Sequence, residues 1–109
     1  MRVITRLKIA GDKFFFSVGP MELFEKIEAY SSIKKASGAM GMSYTKALRI
    51  IRTAEDELGF PLVVSEKGGN IRGQTRLTEK GKKVLTAFQE IYNEVSAYAE
   101  KLFAEKFQF

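Results

Sequence analysis

The tripeptide Gly41-Met42-Ser43 divides a continuous helical pattern into two unequal helices, and this division constrains the chain more than any other feature. Upstream, Ser32 caps a short helix over Ile33 to Met40, with Ile33, Ala36 and Met40 on one side. Gly38 costs that helix about 1 kcal/mol of propensity, so packing must hold it, and its small residues suit close contact with another helix. Gly41 serves as a turn residue, Met42 as an apolar plug and Ser43 as the next N-cap. The following helix runs to Leu58, ends at Gly59 and has Pro61 beyond it. Its inner stripe is Ala47, Leu48, Ile51, Ala54 and Leu58. The opposite stripe carries Thr45, Arg49, Arg52 and Asp56, with Tyr44 and Lys46 beside it. A helix, a glycine turn and a second helix with basic residues at its exposed start form a helix-turn-helix plan.

The flanking segments extend this plan. Arg2 to Ile9 alternates, with Val3, Thr5, Leu7 and Ile9 on one face, which predicts a half-buried strand. Gly11-Asp12 makes the turn and Lys13 to Ser17 the returning strand, a hairpin expected to carry little function. Gly19-Pro20 opens a helix whose apolar stripe is Leu23, Phe24, Ile27 and Tyr30. Leu62-Val63-Val64 and Gln74 to Leu77 read as strands around a loop with three glycines, Lys67 and Arg72, a wing. Thr78 caps a last helix reaching about Phe107. The expected fold class is α+β, mainly α: a winged helix-turn-helix with an N-terminal β-hairpin and a long C-terminal dimerisation helix. One domain, 1–109, divides into a hairpin (1–18), three helices (19–58), a wing (61–77) and the final helix (78–107).

Composition narrows the chemistry. With no Cys and no His among 109 residues, disulfides, thiol nucleophiles, Cys/His zinc sites and imidazole bases are excluded. Glu55-Asp56-Glu57 are successive helical residues that diverge by about 100°, so they form no convergent acid pair. No enzyme, metal or cofactor is expected. The apolar run Phe14 to Val18 is far shorter than the roughly 18 residues that span a membrane, and no signal-peptide core follows the first basic residues. The chain is therefore expected in the cytoplasm. The net charge is +5. Residues 31–83 hold eleven basic and five acidic side chains, and the remainder holds seven and eight, so the surplus lies over the helix-turn-helix and wing. That location favours a polyanionic partner.

Ser32 to Ala36, Gly41-Met42-Ser43-Tyr44, Gly59-Phe60-Pro61-Leu62-Val63, Gly68-Gly69 and Arg76-Leu77-Thr78-Glu79-Lys80-Gly81, taken in order, resemble the N-terminal DNA-binding domain of ModE-type regulators, relatives of the LysR-type winged helix-turn-helix family. The resemblance implies that Ser43, Tyr44, Thr45, Lys46 and Arg49 read base edges. It implies phosphate or wing contacts for Lys34, Lys35, Arg52, Lys67 and Arg72. Other readings stay open: Ser43 as a cap only, Tyr44 packed on the preceding helix, and Arg52 paired with Asp56 at i+4. Thr45 and Leu48 depart from the family, which usually has a basic residue and a tryptophan there, so operator preference does not carry over. The family's molybdate-binding module lies C-terminal to this domain, and the chain stops at Phe109, so molybdate binding is not expected.

Val84, Phe88, Ile91, Val95, Tyr98 and Leu102 recur at spacings of 4, 3, 4, 3 and 4, a heptad seam. A helix of about 30 residues spans ~45 Å, more than one small domain covers. A two-fold dimer through this seam, assisted by the first helix, would present two recognition helices to half-sites about one or two DNA turns apart. The resulting expectation is a homodimeric, sequence-specific binder of double-stranded DNA and a prokaryotic transcriptional regulator. The alternative is a winged-helix interaction module whose partner supplies the effector.

Overall fold

The computed structural model describes residues 1–66 and 74–109. Eight elements follow in order: β1 (Ile9–Ala10), β2 (Phe14–Phe16), α1 (Val18–Tyr30), α2 (Ile33–Ala39), α3 (Tyr44–Leu58), β3 (Val63–Glu66), β4 (Gln74–Leu77) and α4 (Glu79–Lys106). β1 pairs antiparallel with β2, and β3 pairs antiparallel with β4 from Val63↔Leu77 to Glu66↔Gln74. Three short helices and two ribbons thus surround one end of a 28-residue helix. The molecule is 62 Å long and 28 Å across its next dimension. This is the winged helix-turn-helix architecture.

Local chemistry places each junction. Ser32 Oγ accepts from the Lys35 N–H, and Ser43 Oγ accepts from the Lys46 N–H, so each serine satisfies one orphan donor of its helix. Between them, Met42 N–H donates to the Ser37 carbonyl and Gly41 N–H to the Gly38 carbonyl. That is a Schellman closure, and Gly41 adopts the positive φ of 68° it requires. The predicted turn is present as read. Met42 packs against the core from the turn, as a plug should.

The core joins every layer. Leu23, Phe24 and Ile27 of α1 meet Ile33 and Ala36 of α2, Ala47, Ile51 and Ala54 of α3, and Leu62, Leu77, Leu85 and Phe88. Phe16 of the hairpin sits among them, with its ring edge-on to Phe24 at 5.2 Å and to Phe88 at 5.1 Å. Ser37 is buried in α2 and its hydroxyl donates to the Lys34 carbonyl, so a small polar residue fits the helix contact without an orphan group. The wing is tied to α1 by the Thr75 N–H, which donates to the Ser31 carbonyl at 2.9 Å.

Four expectations need correction. The strand predicted over residues 2–9 forms ladder bonds only at Ile9–Ala10. Its partner strand ends after Phe16, because α1 starts at Val18, so residues 2–8 have nothing to pair with. The alternation still operates: Val3, Thr5, Leu7 and Ile9 are half-buried and their neighbours exposed. α1 begins two residues before Pro20, leaving the proline in the first turn where no N–H is needed. Tyr30 is exposed, because Ser31 turns the chain away in a left-handed conformation. Finally, Phe88 is 2% exposed and belongs to the domain interior, while Val84 is half-buried against that core. The exposed seam starts at Ile91 and continues through Val95 and Tyr98, with Leu102 half-buried.

Candidate nucleic-acid interface

α3 is pinned from three sides. Ser43 caps its start, Gly59 closes its end at a φ of 82°, and Ala47, Ile51 and Ala54 hold its inner face. Two acids near its C-terminus clamp neighbouring backbone. Glu55 Oε2 accepts from the Leu62 N–H at 2.8 Å, fixing the entry to the wing. Glu57 accepts from the Asp12 and Lys13 N–H groups at 3.1 and 3.0 Å, fixing the tip of the hairpin. A rigid helix with a free outer face is what groove reading requires.

That outer face is basic. Thr45, Lys46, Arg49 and Arg52 are exposed, and the first turn of α3 has no acid. Among the described residues, Lys46, Arg49 and Arg52 form no ion pair with any carboxylate. Arg52 and Asp56 therefore do not pair, although their spacing allows it. Ser43 is engaged as a cap through its Oγ. Tyr44 is 50% exposed and lines an open hollow with Ser32, Ile33, Lys34 and Thr75, so it leans toward α2 while keeping half its surface free. Lys34 and Lys35 are exposed in the first turn of α2. Lys67 and Arg72 lie outside the described residues. Lys34 and Tyr44 thus share one surface at the start of α3, where the positive end of the helix dipole lies.

Two features of this surface were not read from the sequence. Lys8 and Phe14 of the hairpin line the same hollow as Arg49, Ile50 and Thr53 of α3. The signal was there: residues 1–18 carry Arg2, Arg6, Lys8 and Lys13 against the single acid Asp12. That local excess is balanced in the overall charge by the acids of α1 and α4. The clamps by Glu55 and Glu57 were missed too, since spacing along one helix says nothing about backbone N–H groups arriving from elsewhere.

Among the described residues, no group of three or more acids is gathered to hold a metal ion. No described helix is long and apolar enough to cross a membrane.

Comparison with known proteins agrees with this geometry. Residues 19–82 match the model of the bacterial regulatory helix-turn-helix proteins of the LysR family. A molybdenum transport protein ModE from Azotobacter vinelandii is 30% identical over 82 residues, which cover 75% of this chain and 30% of that protein. The crystal structure of a LysR family transcriptional regulator superposes with a TM-score of 0.63 at 19% identity, covering 86% of this chain and 32% of the other. The chain thus spans about a third of the length of each of these two proteins. With the matched segment running from α1 into the start of α4, the chain belongs to the LysR family of bacterial regulatory helix-turn-helix proteins.

Proposed function

We propose that this chain binds double-stranded DNA sequence-specifically as a homodimer and regulates transcription in the bacterial cytoplasm. The observation that carries this reading is the basic face of α3, where Lys46, Arg49 and Arg52, without an ion pair among the described residues, project from a helix fixed at both ends. An α-helix fits the major groove, where base edges present a readable donor and acceptor pattern, and arginine pairs bidentately with guanine. Lys46 and Arg49 read bases. Thr45 and Tyr44 contact the same groove, and Ser43 contributes mainly by capping. Lys34, Lys35 and Arg52 meet phosphates, as do Lys67 and Arg72 on the wing. Ile91, Val95, Tyr98 and Leu102 form the two-fold contact, which sets the spacing of the half-sites.

Selection of bound fragments from genomic DNA with the purified protein tests this reading. A palindromic motif with half-sites about one or two helical turns apart is expected. No enrichment of any fragment, with another protein stably co-purifying, would instead favour a protein-interaction module.

A further inference from the structure

Resting on the DNA-binding reading of α3, we propose that the N-terminal hairpin is a second DNA-contacting element, with Lys8 gripping a phosphate beside the groove that holds α3.

The hairpin is part of the rigid body that carries α3. Phe16 lies in the shared core, and both oxygens of Glu57 hold the backbone N–H groups of the turn. It also flanks the reading face directly. Lys8 and Arg49 share the wall of one open hollow of about 270 Å³ with Phe14, Ile50 and Thr53. The basic surface of α3 therefore continues onto the hairpin without a break in the fold.

The side chains on that continuation face water. Lys8 is exposed, and among the described residues it forms no ion pair. Phe14 is 71% exposed, an unusual place for a large ring. Lys8 Nζ sits 5.2 Å from the centre of that ring. The ring offers the ammonium group a favourable resting place on the wall it shares with Arg49. An exposed cation adjoining a base-reading helix matches the phosphodiester backbone in charge and position. Lysine suits this task, since phosphate contacts need charge rather than base-edge geometry. The match to the LysR family begins at residue 19, so this contact lies outside the matched segment.

The test compares wild type with Lys8→Ala on a fragment that wild type selects, over a range of salt. Losing one phosphate contact lowers the salt slope by about 0.9. The ratio of wild-type to variant affinity then grows about three- to fourfold as salt falls from about 200 to about 50 mM. Discrimination between that fragment and a scrambled one stays unchanged, because phosphate contacts read no sequence. Lys101→Ala removes the same charge from the far end of α4 and should leave the slope alone. An unchanged slope in the hairpin variant overturns the proposal, as does an equal fall in both variants. If wild type selects no DNA, or binding ignores Lys46 and Arg49, the underlying reading of α3 fails instead.

Discussion

Gly81 lies against the backbone carbonyl of Leu62, so close that a β-carbon on Gly81 would collide with that oxygen. The contact is set by Thr78, whose N–H donates to the Leu62 carbonyl while its hydroxyl donates to the Pro61 carbonyl, both at 2.9 Å. The same hydroxyl accepts from the Gly81 N–H at 2.9 Å, capping α4. The sequence Leu-Thr-Glu-Lys-Gly is thus a device for laying the start of α4 against Pro61-Leu62, the segment that enters β3. Helix propensity alone says that Gly81→Ala stabilises α4 by about 1 kcal/mol. The collision says that it costs about 1–3 kcal/mol, because the obstacle is backbone and cannot rotate away. Thermal denaturation decides by sign: a lower Tm is expected, and a higher one would show that the backbone at Leu62 yields easily.

Ser31 poses the opposite case. It holds a φ of 53° at the end of α1, where its N–H donates to the Ile27 carbonyl. A left-handed conformation costs a residue with a β-carbon about 1–2 kcal/mol, and glycine avoids that at some entropic cost in the unfolded chain. Ser31→Gly should therefore gain about 0.5–1 kcal/mol, raising Tm by about 4–8 °C per kcal/mol in a domain of this size. The carbonyl that receives the Thr75 N–H is retained, so the wing should stay attached. A drop in Tm would show that the serine side chain contributes more than the strain it carries.

Glu57 offers a second test of sign. An acid in the last turn of a helix opposes the dipole, so its removal should help α3 by about 0.3–1 kcal/mol. Its carboxylate, however, receives both hairpin N–H groups. Bonds to a charged acceptor are worth about 1.5–3 kcal/mol when buried, less here at the surface. Glu57→Ala is expected to destabilise by about 1–2 kcal/mol, with early loss of amide protection at Asp12 and Lys13 in hydrogen exchange. Unchanged protection there would remove the clamp from the account.

For α3, Arg49→Ala should cost about 1–3 kcal/mol of binding and relax preference at one base pair. Arg52→Ala should weaken all sequences alike and lower the salt slope by about 0.9. Binding titrations on matched and single-substituted duplexes separate the two. If Arg49→Ala weakens every duplex equally, it touches phosphate and not a base.

The sequence showed the helix-turn-helix clearly because its signals are local. Ser32, Gly41, Ser43 and Gly59 each act within four residues of themselves, through caps and turns that composition makes visible. The basic face of α3 was legible for the same reason, since helical periodicity fixes which side chains share a face. What stayed hidden is non-local. Nothing in the spacing of Glu57 says that a hairpin turn more than forty residues earlier will arrive at its carboxylate. Lys8 likewise acquires meaning only once Phe14 and Arg49 are beside it. The heptad seam failed at Phe88 because a repeat shows which residues face inward together, not whether the inside is the domain's own core or a partner.

That distinction makes the last helix the clearest place to test assembly. Phe88 stacks on Tyr92 and is spent inside, whereas Ile91 and Val95 are each 42% exposed and Tyr98 is 59% exposed. These three continue the spacing of the seam along a helix that leaves the domain behind. An exposed apolar row of this kind is stable in water when a second copy covers it. Val95→Glu puts a charge in the middle of the row while leaving the core of the 12.3 kDa chain untouched. Sedimentation equilibrium should give twice that mass for wild type and the single-chain mass for the variant. The wild-type Tm should also rise with protein concentration, and the variant's should not, because association stabilises by mass action. A wild-type protein that remains at the single-chain mass at every concentration would remove the two-fold contact, and with it the expectation of paired half-sites.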